Sequence, residues 1–168
     1  MQATLVPFIL AGVLLAGGTQ AVPKPQAPFS IAISPLQQSI AAGTEVKVEI
    51  ALKNISNREI YLSKSNASSQ AEFHFVVEAH DDTGKPVPDT EYGRRVMRRE
   101  TKKRSVLFGS EIFFTLQPGE IFQDEVIASK LYDLSQPGKY VIQLSRRVSD
   151  NPKDGVGKSN EITVTVTP

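Results

Sequence analysis

The chain has 168 residues, of which 40% are hydrophobic, and its 19 Lys and Arg nearly balance 18 Asp and Glu, leaving a formal net charge of +1. This length suits a single domain, and the balanced charge does not select nucleic acid, an anionic membrane or an acidic substrate. With no cysteine and two histidines, the composition excludes disulfide scaffolds, thiol catalysis, iron–sulfur clusters and cysteine-based zinc sites.

The N-terminal segment has the pattern of a removable export signal. Residues 5–16 are almost wholly apolar, and small residues follow them up to Ala21. This stretch of about 12 residues is shorter than the roughly 20 that a transmembrane helix needs, so no membrane anchor is expected after removal of the leader. We interpret residues 1–21 as a signal peptide and expect a secreted or periplasmic protein. Because no Lys or Arg precedes the apolar run, a buried N-terminal strand or helix is the alternative.

The absence of cysteine also bears on the host. A secreted domain without disulfides is stabilised by its core alone, which a chain of this size can provide, and this favours a bacterial periplasm or exterior. Asn54-Ile-Ser56 and Asn66-Ala-Ser68 fit the N-glycosylation pattern. The sequence leaves open whether these asparagines are modified or only form turns.

Residues 22–28 contain three prolines in seven residues, and we interpret them as an extended tether that precedes a domain at 29–168. From Phe29 onward, apolar residues recur at every second position, which is typical of half-buried strands. The pattern predicts strands at residues 29–34 and 45–53, followed by a short third strand at 60–62.

The same period continues through the middle and the end of the chain. A turn at 81–84 closes the fourth predicted strand, and further strands are predicted within 106–116, at 121–127, at 140–144 and at 162–166. No amphipathic helix is predicted after the leader. The fourth predicted strand has Phe73, Phe75, Val77 and Ala79 on its apolar face and Glu72, His74, Glu78 and His80 on its polar face.

About eight strands separated by turns, without a fixed repeat, predict an all-β fold in the form of a two-sheet antiparallel sandwich of about seven to nine strands. Residues 131–144 (LYDLSQPGKYVIQL) resemble the corner between two late strands of an immunoglobulin-like domain. The resemblance implies that Tyr140 opens a strand and bonds its hydroxyl back to the preceding turn.

Other short motifs carry the same resemblance: Ala-Gly-Thr-Glu-Val at 42–46, the break at 54–57, Leu-Gln-Pro-Gly-Glu at 116–120 and the final Ile-Thr-Val-Thr-Val. Together they are similar to immunoglobulin-like domains of secreted bacterial proteins, and also to the accessory β-sandwich of some secreted zinc metallopeptidases. The cysteine pair and core tryptophan of antibody domains are missing. The His-Glu-x-x-His motif is missing too, so the resemblance implies no peptidase activity.

A basic cluster at residues 94–104 holds seven bases and one acid, so the rest of the chain has 12 bases (19 minus 7) against 17 acids (18 minus 1). This segregation predicts a docking loop at about 85–104 for an anionic protein, glycan or lipid, without specific nucleic-acid recognition. The alternative is a solvated loop or edge strand whose charges discourage pairing between edges. The candidate binding residues are Tyr92, Arg94, Arg95, Arg98, Arg99, Lys102, Lys103 and Arg104.

The energetics of such a loop set a condition on its function. Fixing a disordered backbone costs about 1 kcal/mol or more per residue. Each base near an anionic surface contributes only about 1 kcal/mol before screening. The loop therefore binds well only if the fold already orders it, or if it stays mobile in the complex.

No catalytic residue, metal ligand or cofactor site is predicted. On one extended strand His74 and His80 would lie about 20 Å apart, too far to share a metal. The chain has no Gly-x-Ser-x-Gly elbow and no glycine-rich phosphate loop. Tyr61, Tyr92 and Phe122 have aromatic rings that could stack on a sugar or base, but packing is the favoured interpretation.

The sequence thus favours an exported, non-catalytic immunoglobulin-like binding domain. A protease inhibitor or peptidase-accessory module is the first alternative, because dibasic residues suit a trypsin-like pocket. A small metal-dependent hydrolase is the second.

Overall fold

The computed structural model describes residues 27–66, 70–97, 111–147 and 155–168. Strands dominate these ranges, which confirms the all-β class, and no helix within them has the length and apolar character needed to cross a bilayer. The strands are β1 (Phe29–Pro35), β2 (Ser39–Ala41), β3 (Lys47–Asn54), β4 (Ile60–Ser65), β5 (Val76–Asp81), β6 (Glu111–Leu116), β7 (Ile121–Ile127), β8 (Gly138–Arg147) and β9 (Val156–Thr167). The helices are a 3-10 helix (Ala71–Phe73), α1 (Glu91–Met97) and α2 (Ala128–Leu131).

The strands form three sheets. The first has the order β1-β3-β7, the second β2-β9-β8-β5, and the third is the pair β4-β6. All pairs are antiparallel except β2–β9, which is an exception to the predicted pairing. The outer strand of the first sheet, β1, ends at Pro35, which has no backbone N–H to donate. The chain then forms β2 at the edge of the second sheet. Since β2 and β9 are remote in sequence, no hairpin forces them to run antiparallel.

One buried hydrophobic cluster takes side chains from all three sheets. The alternation seen in the sequence produces it, because successive side chains of a strand point to opposite faces. In β9, Ile162, Val164 and Val166 are buried as predicted. The first sheet contributes Ile31, Val48, Ile50 and Leu52, the second Val77, Ile142 and Leu144, and the third Ile60, Leu62 and Leu116.

A bend joins β3 to β4 and a turn joins β6 to β7, so the antiparallel pair β3–β7 of the first sheet leads into the antiparallel pair β4–β6 of the third. Asn54 at this bend is fully buried. Its Nδ2 donates to the carbonyls of Arg58 and Leu116 at 2.8 and 2.9 Å. Its Oδ1 accepts from the backbone N–H and hydroxyl of Ser56 at 2.9 and 2.8 Å. The amide nitrogen that a glycan would need is therefore engaged inside the folded domain.

Asn66 of the other glycosylation motif is exposed, and its partner Ser68 lies outside the described residues.

The tyrosine corner predicted at Tyr140 is confirmed. The Tyr140 hydroxyl donates to the Gln136 carbonyl at 2.8 Å, within the turn that precedes β8. This hydrogen bond fixes the turn against the strand that it opens.

The prediction of one strand across residues 72–80 is wrong in its first half. Residues Ala71–Phe73 form a 3-10 helix, and β5 begins only at Val76. Phe73 N–H donates to the Gln70 carbonyl at 3.2 Å, and Phe75 N–H to the Ala71 carbonyl at 2.9 Å. Phe73, Phe75, Val77 and Ala79 of the predicted apolar face are buried as expected, but Glu72, predicted on the polar face, is buried as well.

Candidate binding site beside helix α1

Helix α1 occupies part of the segment that the sequence predicted as a basic loop. Thr90 caps it: the Gly93 N–H donates to Thr90 Oγ1 at 2.9 Å, and the Arg94 N–H to the Thr90 carbonyl at 2.9 Å. Threonine is a favoured N-cap residue because its hydroxyl meets an unpaired N–H of the first turn. The loop prediction is therefore wrong for Glu91–Met97, and Thr90 followed by Glu91 was the signal that could have located the helix.

Backbone contacts hold α1 against α2. The Thr90 N–H donates to the Leu131 carbonyl at 2.9 Å, and the Thr90 hydroxyl donates to the Lys130 carbonyl. A Cβ at Gly93 would lie 2.0 Å from the Leu131 oxygen, so only glycine permits this approach. Val96 on the same helix is buried in the core.

The residues before α1 are also fixed to the sheets. The Val87 N–H donates to the Ala79 carbonyl at 3.0 Å, and the Asp133 N–H to the Pro88 carbonyl at 2.8 Å. Asp89 forms an isolated antiparallel bridge with Tyr132. The predicted docking loop thus has an ordered first half.

Three of the eight predicted binding residues lie in α1: Tyr92, Arg94 and Arg95. Arg94 donates through Nη1 to the Asp89 carbonyl at 2.8 Å. Arg95 Nη2 lies 3.3 Å from Glu91 Oε1 in an exposed ion pair. Such a pair stabilises a helix by only about 0.3–0.5 kcal/mol, so Arg95 can readily leave Glu91 for another partner. Arg98, Arg99, Lys102, Lys103 and Arg104 lie outside the described residues.

Tyr92 packs partly against the core, and its hydroxyl donates to Glu72 Oε1 at 2.7 Å. Burial raises the pKa of Tyr92 well above its usual range, and the hydrogen bond to Glu72 and its charge raise it further. Tyr92 therefore stays protonated and acts as a hydrogen-bond donor at physiological pH.

Glu72 is the functional candidate that sequence reasoning missed. It is 3% exposed, and its Oε2 finds no hydrogen-bond partner among the residues that the structure describes. An ionised carboxylate is an acceptor with about four lone-pair sites, and leaving a buried acceptor unmet costs about 1–3 kcal/mol. Its placement depends on the 3-10 helix, which no period-two pattern signals.

Glu72 lines an open cleft of about 600 Å³ between the 3-10 helix, α1 and α2. Two acidic and two basic side chains share this cleft, so its formal charges cancel. Tyr92 and Arg95 of the predicted site line it, whereas Arg94 does not. The lining residues are Gln70, Glu72, Thr90, Glu91, Tyr92, Arg95 and Lys130.

The aromatic candidates separate into exposed and packed rings. Tyr61 is 74% exposed, so the packing interpretation is wrong for it. Phe122 packs against the core, with its ring centroid 4.8 Å from that of Phe114. The sequence did not single out Phe113, which is 76% exposed on the face of β4–β6 that also carries Tyr61.

The two histidines do not lie together on one strand. His74 precedes β5, with its Nδ1 3.3 Å from Ser63 Oγ and 3.9 Å from Glu111 Oε1, whereas His80 lies within β5. In the described ranges, no three His, Asp or Glu side chains are grouped so that they could hold a metal ion.

Comparison with known proteins gives weak structural likeness. The CARDB domain of a Pyrococcus furiosus protein, solved with two metal ions, is 12% identical, with 82% of this chain and 91% of that one covered at a TM-score of 0.38. A β-glucosidase of Listeria innocua, solved with glucose, is 17% identical, with 83% of this chain but 16% of that one covered at a TM-score of 0.42. A β-glucosidase of Erythrobacter marinus is 15% identical, with 83% of this chain but 15% of that one covered at a TM-score of 0.41. No family model and no curated protein matches the chain.

Proposed function

We propose that the chain is an exported, non-catalytic immunoglobulin-like sandwich domain that docks an acidic partner through α1 and the basic residues that follow it. The strand order supports this fold: β1-β3-β7 corresponds to strands A, B and E of an immunoglobulin domain, and β9-β8-β5 to G, F and C. The hydrogen bond of the Tyr140 corner supports it as well.

The observation that carries the binding proposal is the anchored position of α1. A disordered basic segment would lose about 1 kcal/mol or more per residue on docking. For Glu91–Met97 this ordering takes place during folding, because Thr90 and Gly93 hold the helix against α2. Because Arg94 and Arg95 are already ordered in α1, their interaction with a partner does not have to offset the entropy cost of ordering this backbone.

The charge that follows α1 in the sequence supports an acidic partner. Arg94 and Arg95 lie in the last turn of α1, and five more bases occur within residues 98–104. At about 1 kcal/mol each near an anionic surface, the seven bases would contribute at most about 7 kcal/mol before screening. Such an interaction weakens as salt rises.

The test is capture of the mature chain on a sulfated glycan, on anionic vesicles and on polyglutamate, at low and high salt. Changing Arg98, Arg99, Lys102 and Lys103 to Glu should weaken capture at least tenfold.

A matched control replaces four exposed bases outside this segment with Glu: Lys53, Lys139, Arg147 and Lys158. It makes the same change in net charge and should leave capture nearly unchanged. Capture of none of the three probes by the wild-type chain, or equal loss in both variants, would contradict the proposal.

A further inference from the structure

We infer that the face of the third sheet that carries Tyr61 and Phe113 binds a neutral, extended oligosaccharide, whose sugar rings stack on these two aromatic side chains. The site lies on β4 and β6 rather than on α1, and its ligand has no charge. It therefore goes beyond the docking of an acidic partner.

The strand register places the two rings diagonally across one face of the β4–β6 pair. Thr115 lies directly opposite Tyr61, and Phe113 is two residues before it on the same strand. Residues in this diagonal relation are about 7–8 Å apart, within reach of aromatic side chains. Tyr61 and Phe113 are the most exposed large apolar side chains in the ranges that the structure describes. A ligand that lies flat on this face can therefore touch both rings.

Hydrogen-bonding groups lie at one end of the ring pair. The Tyr61 hydroxyl donates to Glu59 Oε1 at 2.9 Å, and Gln117 Nε2 donates to Glu59 Oε2 at 3.2 Å. These bonds orient the Tyr61 side chain and the carboxylate before a ligand arrives. Because a carboxylate has about four lone-pair sites, the exposed Glu59 can accept further bonds from sugar hydroxyls. The exposed Thr115 adds a hydroxyl that can donate or accept.

The chemistry of the face favours a neutral sugar over other flat ligands. The face of an aromatic ring is the negative part of its quadrupole, so it attracts the C–H groups of a sugar, which neighbouring oxygen atoms polarise. In β-1,4-linked glucose or N-acetylglucosamine the ring substituents are equatorial, which leaves flat faces of C–H groups. Glu111 lies on the same face as Phe113, so the two rings have a carboxylate beyond each end, Glu59 and Glu111. These charges disfavour nucleic acids and anionic glycans.

A second copy of the chain fits this face less well than a small ligand. An aromatic side chain offers at most about 250 Å² of contact area, so the two rings together offer at most about 500 Å². A stable protein interface needs about 800 Å² on each partner. The polar side chains of Glu59 and Thr115 next to Tyr61 do not enlarge the apolar area.

Calorimetric titration of the mature chain with cellohexaose and chitohexaose tests the ligand chemistry, with maltohexaose for contrast. At least one of the two β-1,4-linked hexaoses should bind, with an affinity that does not fall as salt rises. Maltohexaose, whose α-1,4 linkages coil the chain, should bind at least tenfold more weakly. Absence of binding by both β-1,4-linked hexaoses, or equal binding of maltohexaose, would overturn the inference.

Phe113→Ala and Tyr61→Ala should each weaken binding of the preferred hexaose at least tenfold. Leu36→Ala, which shortens an exposed apolar side chain between β1 and β2, should leave it unchanged. Both rings are exposed, so the variants should fold, and circular dichroism checks this. Wild-type affinity in either folded alanine variant would place the glycan elsewhere.

Sedimentation velocity tests a second copy as the occupant of this face. The wild-type chain and Phe113→Ala should both be monomers. A wild-type dimer that Phe113→Ala dissociates would assign the face to self-association and overturn the inference.

The two proposals fail separately. The variant in which Arg98, Arg99, Lys102 and Lys103 are changed to Glu should keep its affinity for the hexaose. Phe113→Ala should keep its salt-sensitive capture by the anionic probes. Loss of anionic capture with retained hexaose binding, or the reverse, therefore distinguishes failure of one proposal from failure of the other.

Discussion

At the residue scale, Asn54 shows how one buried side chain fixes a bend between two sheets. Its amide group makes hydrogen bonds to Arg58, Leu116 and Ser56, and its backbone N–H donates to the Glu120 carbonyl at 3.0 Å. Asparagine provides donors and acceptors on one planar group, so it can satisfy both sides of the bend at once.

Asn54→Ala should lower the free energy of unfolding by about 3 kcal/mol, since it leaves a buried carbonyl without its donor and opens a small cavity. Urea denaturation of the mature chain measures this. Asn57→Ala, at an exposed position in the same turn, should change stability by less than about 0.5 kcal/mol. Equal effects at the two positions would show that the buried hydrogen bonds do not stabilise the bend.

Gly93→Ala should destabilise the domain, although alanine normally stabilises a helix by about 1 kcal/mol relative to glycine. The added Cβ meets a backbone oxygen of Leu131, so α1 must move away from α2. We expect a loss of about 1–3 kcal/mol, measured by thermal or urea unfolding. Gly138→Ala is the control, because its Cβ would meet nothing closer than 3.9 Å. A more stable Gly93→Ala protein would contradict the close contact.

Residue roles were predictable where they depend on local sequence. Tyr140 follows Gln136-Pro137-Gly138, and this short motif was enough to predict its hydrogen bond. The burial of Glu72 was not predictable, because it depends on a 3-10 helix that interrupts the alternation and on a tyrosine 20 positions later.

At the scale of elements, Arg146 connects β8 to the two-stranded sheet. The side chain is 6% exposed, donates through Nη2 to the Ser63 carbonyl at 2.7 Å, and lies 5.1 Å from the centroid of the Phe75 ring. Burial lowers the pKa of Arg146 to about 10, against the opposing effect of the nearby Asp124 and Glu111 charges. The guanidinium therefore remains charged at neutral pH.

Arg146→Ala should lower the free energy of unfolding by about 2–3 kcal/mol, because it removes packing on Phe75 and leaves the Ser63 carbonyl unpaired. Hydrogen exchange should become faster in β4 and β6 before the rest of the domain. Arg147→Ala changes the neighbouring, exposed base and should have little effect. Unchanged protection of β4 and β6 in Arg146→Ala would show that this contact does not hold the third sheet.

The strands were easier to predict than the helices. Residues 121–127 match β7, and the alternation in β9 matches its buried face, because a period of two directly reports a half-buried strand. Helix α1 is only seven residues long and depends on tertiary packing, so it has too few turns for a periodic signal. The parallel pairing of β2 with β9 depends on contacts between remote segments, which the local pattern does not report.

At the scale of the whole molecule, a β domain that we propose to be exported carries a concentrated basic segment. The seven bases of residues 94–104 lie in a chain that is otherwise net acidic, and the fold orders the first two of them. The clustering of these bases could be predicted from the sequence. The ordering of the first two could not, because it arises from the contact between α1 and α2.

Export of the full-length chain should remove residues 1–21, so the mature protein should begin at Val22. Intact-mass analysis of protein recovered from the periplasm or medium of a bacterial host measures this. An Ala21→Arg chain should be processed poorly, since cleavage needs a small residue there. An unprocessed, intracellular wild-type chain would contradict the proposed export.

Docking of an acidic partner at α1 is best tested by an NMR titration of the isotope-labelled mature chain with the anionic probe that captures it best. We expect salt-sensitive shift changes in α1, at Arg94 and Arg95, and in the basic residues that follow, with little change in the sheet β1-β3-β7. Shift changes confined to the strands, or none in α1 at saturating probe, would contradict it.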